Sequence, residues 1–228
     1  MADQESSASL IRDYGGTILL AVVLALLIRF FLVEAYRIPS AAMHPSLEPG
    51  DTIFVSKWPF GLRIPGFERA FTSPREPRRG EVVVFSMQDG SHRDYIKRVV
   101  GLDGDKIQMK DGHLIVNDIP AEIPGSAKSN CAKEKTSDGY SYGVCYESPT
   151  VEDFGPAKVP PGSVFVLGDL RARTPRERGS DLPVRSWGVE PLQALRGSAL
   201  WIWLSVEPSN SSAVFPNFRL NRMFRRVR

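Results

Sequence analysis

The residues whose types and spacing suggest chemistry fall in two short blocks. The first is IPSAAMHPSLEPGD, residues 38–51. Prolines at 39, 45 and 49 fix its loop geometry, and its small residues let a second backbone approach closely. Neither feature serves a helix or a strand. The block reads as a plain linker or as a loop built to receive a ligand. The second block is YIKRVVGLDGD, residues 95–105, where Lys97 stands in a strand-like run of Tyr, Ile and Val. Pointed at water, it is an ordinary surface cation. Desolvated, a lysine loses its proton more readily, and the neutral amine serves as a general base. Other chemical material is thin. A G-x-S-x-G string at 139–143 lies in a polar stretch with neither the preceding strand nor the following helix of a nucleophile elbow, so it reads as a chance match. His44, His92 and His113 are not spaced as a metal pair, and no G-x-x-x-x-G-K-[ST] or H-E-x-x-H string occurs. No metal site and no cofactor is expected. Cys131 and Cys145 are the only cysteines, too few for a four-Cys zinc site. In an oxidising compartment they would form a disulfide; otherwise they are two thiols.

These blocks must be carried by something, and the rest of the 228 residues reads mainly as strands. Charged residues at 24% and hydrophobic ones at 42% describe a folded chain, and the 18 Pro and 19 Gly suit a loop-rich β protein. A mean hydropathy of -0.18 excludes a polytopic membrane protein. A net charge of +3 is too small to argue for nucleic acid, and none is expected as a partner. Runs rich in Val, Ile, Phe and Trp at 51–58, 80–87, 95–102, 106–119, 163–169 and 198–205 predict strands, with a tight hairpin turn at 110–113. Residues 119–161 form a polar excursion, read as an inserted subdomain. One segment breaks the soluble pattern. Residues 17–33, TILLAVVLALLIRFFLV, are apolar except for Arg29 and approach the length of a membrane-crossing helix. Their leader lacks the basic start of a signal peptide, so the run is read as a membrane anchor whose Arg29 snorkels to the interface. The tail FRLNRMFRRVR carries five arginines and reads equally as a solvated end or a contact for anionic headgroups. The aromatic loop Trp58-Pro59-Phe60 through Phe67 and Phe71 is expected to dip into the lipid surface.

Taken together, the blocks resemble the bacterial type I signal peptidases, membrane-bound Ser/Lys endopeptidases that remove signal peptides from exported proteins. Pro39-Ser40-Ala41-Ala42-Met43-His44-Pro45-Ser46-Leu47 resembles the family's P-S-x-S-M-x-P-T-L. Arg79-Gly80-Glu81-Val82-Val83-Val84-Phe85 is similar to R-G-D-I-V-V-F, and Lys97 through Asp105 to K-R-V-V-G-L-P-G-D. Gly168-Asp169-Leu170-Arg171, then Ser180-Asp181, Arg185 and Trp187-Gly188, resembles G-D-N-R…S-x-D-S-R-x-W-G. The resemblance implies a mainly β fold: an N-terminal transmembrane helix, then a signal-peptidase-like antiparallel β-sheet catalytic domain with an inserted smaller subdomain. The expected boundaries are 1–14 for the tail, 15–34 for the anchor, 35–107 and 160–228 for the catalytic domain, and 108–159 for the cap. The location implied is the bacterial inner membrane, single-pass, with the catalytic domain on the extracytoplasmic side.

The resemblance also assigns roles. Lys97 is the general base, oriented by Thr174 or Ser180, and Ser40 with the backbone N–H of residue 42 forms the oxyanion hole. Met43, Ile53 and Tyr95 are expected to line pockets for small side chains of A-x-A-like cleavage sites. Arg98, Asp169, Arg171, Asp181 and Arg185 are expected to hold the structure of the site. The partners implied are signal peptides and the lipid bilayer. The departures matter as much. The nucleophile position holds Ala42, whose methyl cannot attack a carbonyl. Three accounts stand: a deliberate Ser-to-Ala substitution, a natural non-catalytic homologue, or a shifted register with Ser40 or Ser46 as nucleophile. Leu170 replaces the family's Asn, and Pro175, Arg176 and Glu177 lengthen the fourth block.

Overall fold

Along Asp51–Ser56 buried and half-buried residues alternate one by one, the period of a strand with one face in a core. That pattern opens a chain of antiparallel pairings. The computed structural model describes residues 14–26, 32–61, 72, 74–87, 93–121, 130–136, 138–147, 153–171, 187–208 and 217–227. Its main sheet is built from β1 (Val33–Arg37), β2 (Asp51–Ser56), β3 (Val82–Ser86), β4 (Asp94–Gly101), β11 (Ser163–Leu167), β13 (Trp187–Pro191), β14 (Leu195–Ser205) and β15 (Arg225–Arg226). The order is β1-β2-β14-β3-β4-β11-β13, with β15 added to β14. A second sheet, from β5 (Lys106–Lys110), β6 (His113–Val116), β7 (Ile119–Pro120) and β10 (Phe154–Lys158), runs β10-β5-β6-β7. A third joins β8 (Cys131–Lys135), β9 (Ser141–Tyr146) and β12 (Leu170–Arg171). The mainly β reading holds.

Local chemistry explains the turns. Lys110 pairs with His113, and Asp111 and Gly112 between them have φ of 50° and 77°, the left-handed pair that a two-residue hairpin requires. Three apolar clusters fill the interior. One joins Met43, Leu47, Ile53, Val55, Val82 and Val84; a second joins Phe60, Val83, Phe85, Val99, Val164 and Val166. The third links the sheets through Val100, Ile107, Met109, Leu114, Val144 and Phe165. Each such fully buried side chain contributes about 1.5–3 kcal/mol relative to exposure.

Several expectations change. Residues 14–26 are helical and their large apolar side chains, such as Leu19, Leu20 and Leu26, are exposed. Among the described residues, no helix is long and apolar enough to cross a membrane. Val33 and Glu34, the last residues of the anchor expected over 15–34, belong to β1, where Val33 faces Ser56 and Glu34 pairs with Lys57 at 2.8 Å. Trp58 leaves the strand expected over 51–58, because Pro59 follows it in a single 3-10 turn. The cap boundary expected at 108 falls inside β5, which pairs with β6 and β10. The polar excursion contains β8, β9 and β10. Its strands escape a hydrophobicity reading because polar residues such as Lys133, Glu134 and Ser141 occupy much of them.

Candidate active site

The loop 38–50 is closed at its base. Ile38 N–H donates to Asp51 O at 2.8 Å, and Gly50 N–H donates to Ile38 O at 2.9 Å. Inside it, Leu47 N–H reaches Met43 O at 2.8 Å, a tight turn that drives the Met43 and Leu47 side chains into the first cluster. The Met that follows Ala42 is thus the loop's apolar peg. From the far end of the chain, Arg219 and Arg222 grip the same loop. Both donate to Glu48 and to Asp51, and Arg219 also reaches Pro49 O at 2.7 Å. Of the five tail arginines, these two are structural ties.

Burial by itself would raise the Asp51 carboxyl, but hydrogen bonds from Arg222 and Ser205 outweigh it and hold the group below the usual carboxylate range. Glu81, bound by Arg75, is lowered in the same way. A lowered folded pKa contributes stability above the unfolded value of ~4 that is lost as pH falls further. Denaturant midpoints measured from pH 7 to pH 2 should therefore drop below about pH 4, and Asp51→Asn should flatten that drop. An unchanged acid profile in Asp51→Asn would remove Asp51 from this account.

Lys97 lies in the middle of β4, opposite Val83 of β3, and is only 3% exposed. Here the sheet interior, and not water, receives the lysine. Gly168, just past β11, explains how close the parts come. A Cβ on Gly168 would lie 2.8 Å from Ala42 O and 3.5 Å from Lys97 Nζ. Leu170 N–H donates to Ala42 O at 3.2 Å. Gly168 therefore separates the lysine amine from the Ala42 backbone with no room to spare. Gly168→Ala is expected to cost about 1–3 kcal/mol through overpacking against backbone. Denaturant unfolding reads it, and full parental stability in the variant would contradict this close approach.

The next residue along β4 anchors the assembly. Arg98 makes a two-pronged pair with Asp169, at 2.7 Å and 2.6 Å, with both side chains about 1% exposed. It also donates to Gly80 O at 2.7 Å and Ser46 Oγ at 3.0 Å, and lies 4.4 Å from the centre of the Tyr142 ring. Burial opposes its charge, and the Asp169 carboxylate more than restores it, holding the guanidinium above its ordinary value. A second buried pair, Arg171 with Glu134 at 2.8 Å, shares Glu134 with the Tyr142 hydroxyl. Burial and the Glu134 charge push that hydroxyl well above the usual phenol range. Arg79 ties Asp105 at 2.9 Å to Asp138 at 2.7 Å, so the Arg-Gly block joins two turns.

The structure brings Ala42, Met43, Lys97, Arg98 and Asp169 together. Ser40 lines a cavity of about 440 Å³ on the loop's flank, with Pro39, Ala41, Pro208 and Arg219. Thr174, Ser180, Asp181 and Arg185 lie outside the described residues, as do His92, Phe67 and Phe71. Met43 and Ile53 share one core cluster, Ile53 with no exposed surface, whereas Tyr95 packs in another beside Phe85. In this conformation Met43 and Ile53 are core residues and not pocket linings. The G-x-S-x-G string spans a hairpin turn and the start of β9, with β8 before it, correcting the expectation that no strand precedes it. Its last glycine admits Pro45: a Cβ on Gly143 would lie 2.8 Å from Pro45 Cγ. Cys131 and Cys145 stand opposite each other on β8 and β9 and are joined as a disulfide. His44 approaches them, but the two sulfurs are bonded to each other and offer no thiolate to a metal. Sequence reasoning missed Glu134, Tyr142 and Asp51. Only tertiary pairing distinguishes them from ordinary strand and turn residues.

Comparison with known proteins bears on this geometry. The family described as signal peptidase, peptidase S26, matches residues 11–204. A signal peptidase I of Pseudomonas aeruginosa is 30% identical over 221 residues, covering 92% of this chain and 78% of its own length. One of Bacillus licheniformis is 37% identical over 164 residues, 71% of this chain and 75% of its own. A crystal structure of a signal peptidase I from Enterococcus faecalis V583 superposes with a TM-score of 0.33 at 19% identity, covering 54% of this chain and 97% of that one.

Proposed function

Since the chain belongs to the signal peptidase family, peptidase S26, we propose that it binds the signal peptides of exported preproteins at an A-x-A-like site and that Ala42 leaves it without a nucleophile. The observation that carries this reading is the contact at Gly168, which places the buried Lys97 amine next to the residue-42 backbone. With serine at 42, Lys97 would take the hydroxyl proton and the serine oxygen would attack the scissile carbonyl. The leaving segment would depart as an amine that takes this proton from Lys97, and water, giving a proton to the lysine that then returns to the serine oxygen, would hydrolyse the acyl-enzyme. The residue-42 N–H and the Ser40 hydroxyl would hold the oxyanion, and Thr174 or Ser180 would orient the lysine. The reaction as proposed draws on side chains and backbone alone. The apolar run ahead of β1 anchors the chain in the bacterial inner membrane by a single pass, with the β domain on the extracytoplasmic side. Tyr95 then contributes to the small-residue pockets.

A titration of the full chain in detergent micelles with a fluorescent signal peptide bearing Ala-x-Ala tests this. Saturable binding, weakened by a bulky residue in place of either alanine, is expected. No binding would overturn the reading. A second reading, a membrane-anchored protein that captures signal peptides without cleaving them, is favoured by Ala42 itself.

A further inference from the structure

We propose that the Cys131–Cys145 disulfide is a redox-sensitive brace that positions the loop carrying Ala42; its consequence for peptide binding rests on the function proposed above. The disulfide joins the first strand residue of β8 to its direct partner on β9. These are the only two cysteines in the chain. From this one point, contacts run into both segments that flank Ala42. On one side, Cys131 Sγ lies 4.0 Å from His44 Nε2, two residues past Ala42, and Pro45 rests on the bare backbone of Gly143. On the other, Cys145 N–H donates to Asp169 O at 3.0 Å, and Cys145 is the parallel partner of Leu170. Leu170 N–H in turn donates to Ala42 O. The β8–β9 hairpin is therefore the floor on which the loop and the Gly168–Arg171 segment meet.

The Arg171–Glu134 pair and the buried Tyr142 and Val144 hold the middle of the hairpin, whereas its Cys131 end has less apolar support. Cys145, Leu170 and the half-buried Cys131 form a small apolar cluster of their own, outside the three main ones. The main sheet contains neither cysteine, so its pairing does not depend on the bond. Reduction by a dithiol breaks the S–S bond. Two electrons and two protons pass to the sulfurs, giving two thiols, and the dithiol closes to its own disulfide. Unbonded sulfurs need more separation than bonded ones, and Cys145 is 3% exposed and walled in. The displacement falls on the start of β8 and on the His44 contact. The loop then loosens where it meets the Cys131 end of the hairpin, while the sheet beneath Lys97 stays intact.

Two measurements on the full chain in detergent micelles test this, each with the oxidised and the dithiothreitol-reduced protein. The first is native-state hydrogen exchange. The Leu47 and Leu170 amides should exchange about tenfold faster or more after reduction, with amides of β2, β3 and β4 unchanged. Unchanged exchange, or the same acceleration throughout the sheet, would overturn the brace. The second is binding of the fluorescent Ala-x-Ala peptide, expected to weaken about tenfold on reduction and to recover on reoxidation. A Cys131→Ser/Cys145→Ser variant should match the reduced state and ignore the reductant. In an Ala42→Ser background, reduction should also shift the pH profile of cleavage, which a mere loss of folded protein leaves in place. Equal binding in both states, with exchange accelerated, would show that the brace does not serve the peptide. Accelerated loop exchange with no binding in either state would support the brace and overturn the peptide reading instead.

Discussion

Ala42→Ser is expected to convert a chain with background activity into one that cleaves a preprotein at its Ala-x-Ala site, with a rate gain of about 10³-fold or more. The size of the effect follows from what is already in place. The loop that holds residue 42 is closed by backbone hydrogen bonds, pegged by Met43 and tied by Arg219 and Arg222. Lys97 is buried beside Gly168, which touches the residue-42 carbonyl. What position 42 lacks is a hydroxyl. In the Ala42→Ser background, Lys97→Ala should return the rate to background. Lys97→Arg should do the same, because a guanidinium keeps its proton. Cleavage products sized from micelles containing preprotein read all four proteins. Cleavage by the parent as well would move the nucleophile to Ser40 or Ser46, and the second is disfavoured because its Oγ already accepts from Arg98. Cleavage by neither, with binding intact, would make the chain a capture protein.

Asp169→Ala should be the most destabilising single change, at about 3–5 kcal/mol. It removes the carboxylate that pairs with the Arg98 guanidinium at 1% exposure, and removing one partner of a buried pair costs far more than the pair contributes. In a domain of this size that corresponds to a fall in Tm of roughly 6–20 °C. The damage should also reach the site, since Arg98 holds Ser46 of the loop and Asp169 lies beside Gly168. Arg98→Met with Asp169→Leu, which removes both charges, should recover much of the stability while peptide binding stays weak. Thermal unfolding and peptide titration of the two variants separate these effects. A single variant that melts with the parent would show that the pair is dispensable.

Among the strands, Asp51–Ser56 and Val82–Ser86 were legible because burial writes a local pattern: alternation in the first and a continuous Val-Val-Val-Phe run in the second. The hairpin at Lys110–His113 was legible because Asp-Gly meets a left-handed turn at little cost. β8 and β9 were not, since exposed polar residues such as Lys133, Lys135 and Ser141 occupy much of them, and the buried Glu134 finds its ion-pair partner 37 positions away. Glu134 is the clearest case: it reads as a surface charge in CAKEK, yet it lies 1% exposed between Arg171 and Tyr142. Val33 was read with the apolar run because it suits a helix in lipid and a strand equally well.

What the sequence by itself determined was chemical: the family, the loop with its prolines, the lysine in an apolar run, and the absence of a hydroxyl at position 42. These are statements about which groups exist and in what order, and they need no coordinates. The tertiary structure decided the rest. It buried Lys97, placed Gly168 as the only residue thin enough to stand between that amine and the Ala42 backbone, and brought Asp169 to Arg98 across 71 positions of chain. It also set the disulfide beneath the loop. Such contacts depend on how sheets stack and on which loop crosses which edge. Sequence distance carries little of that information, because the cost of closing a loop grows only slowly with its length.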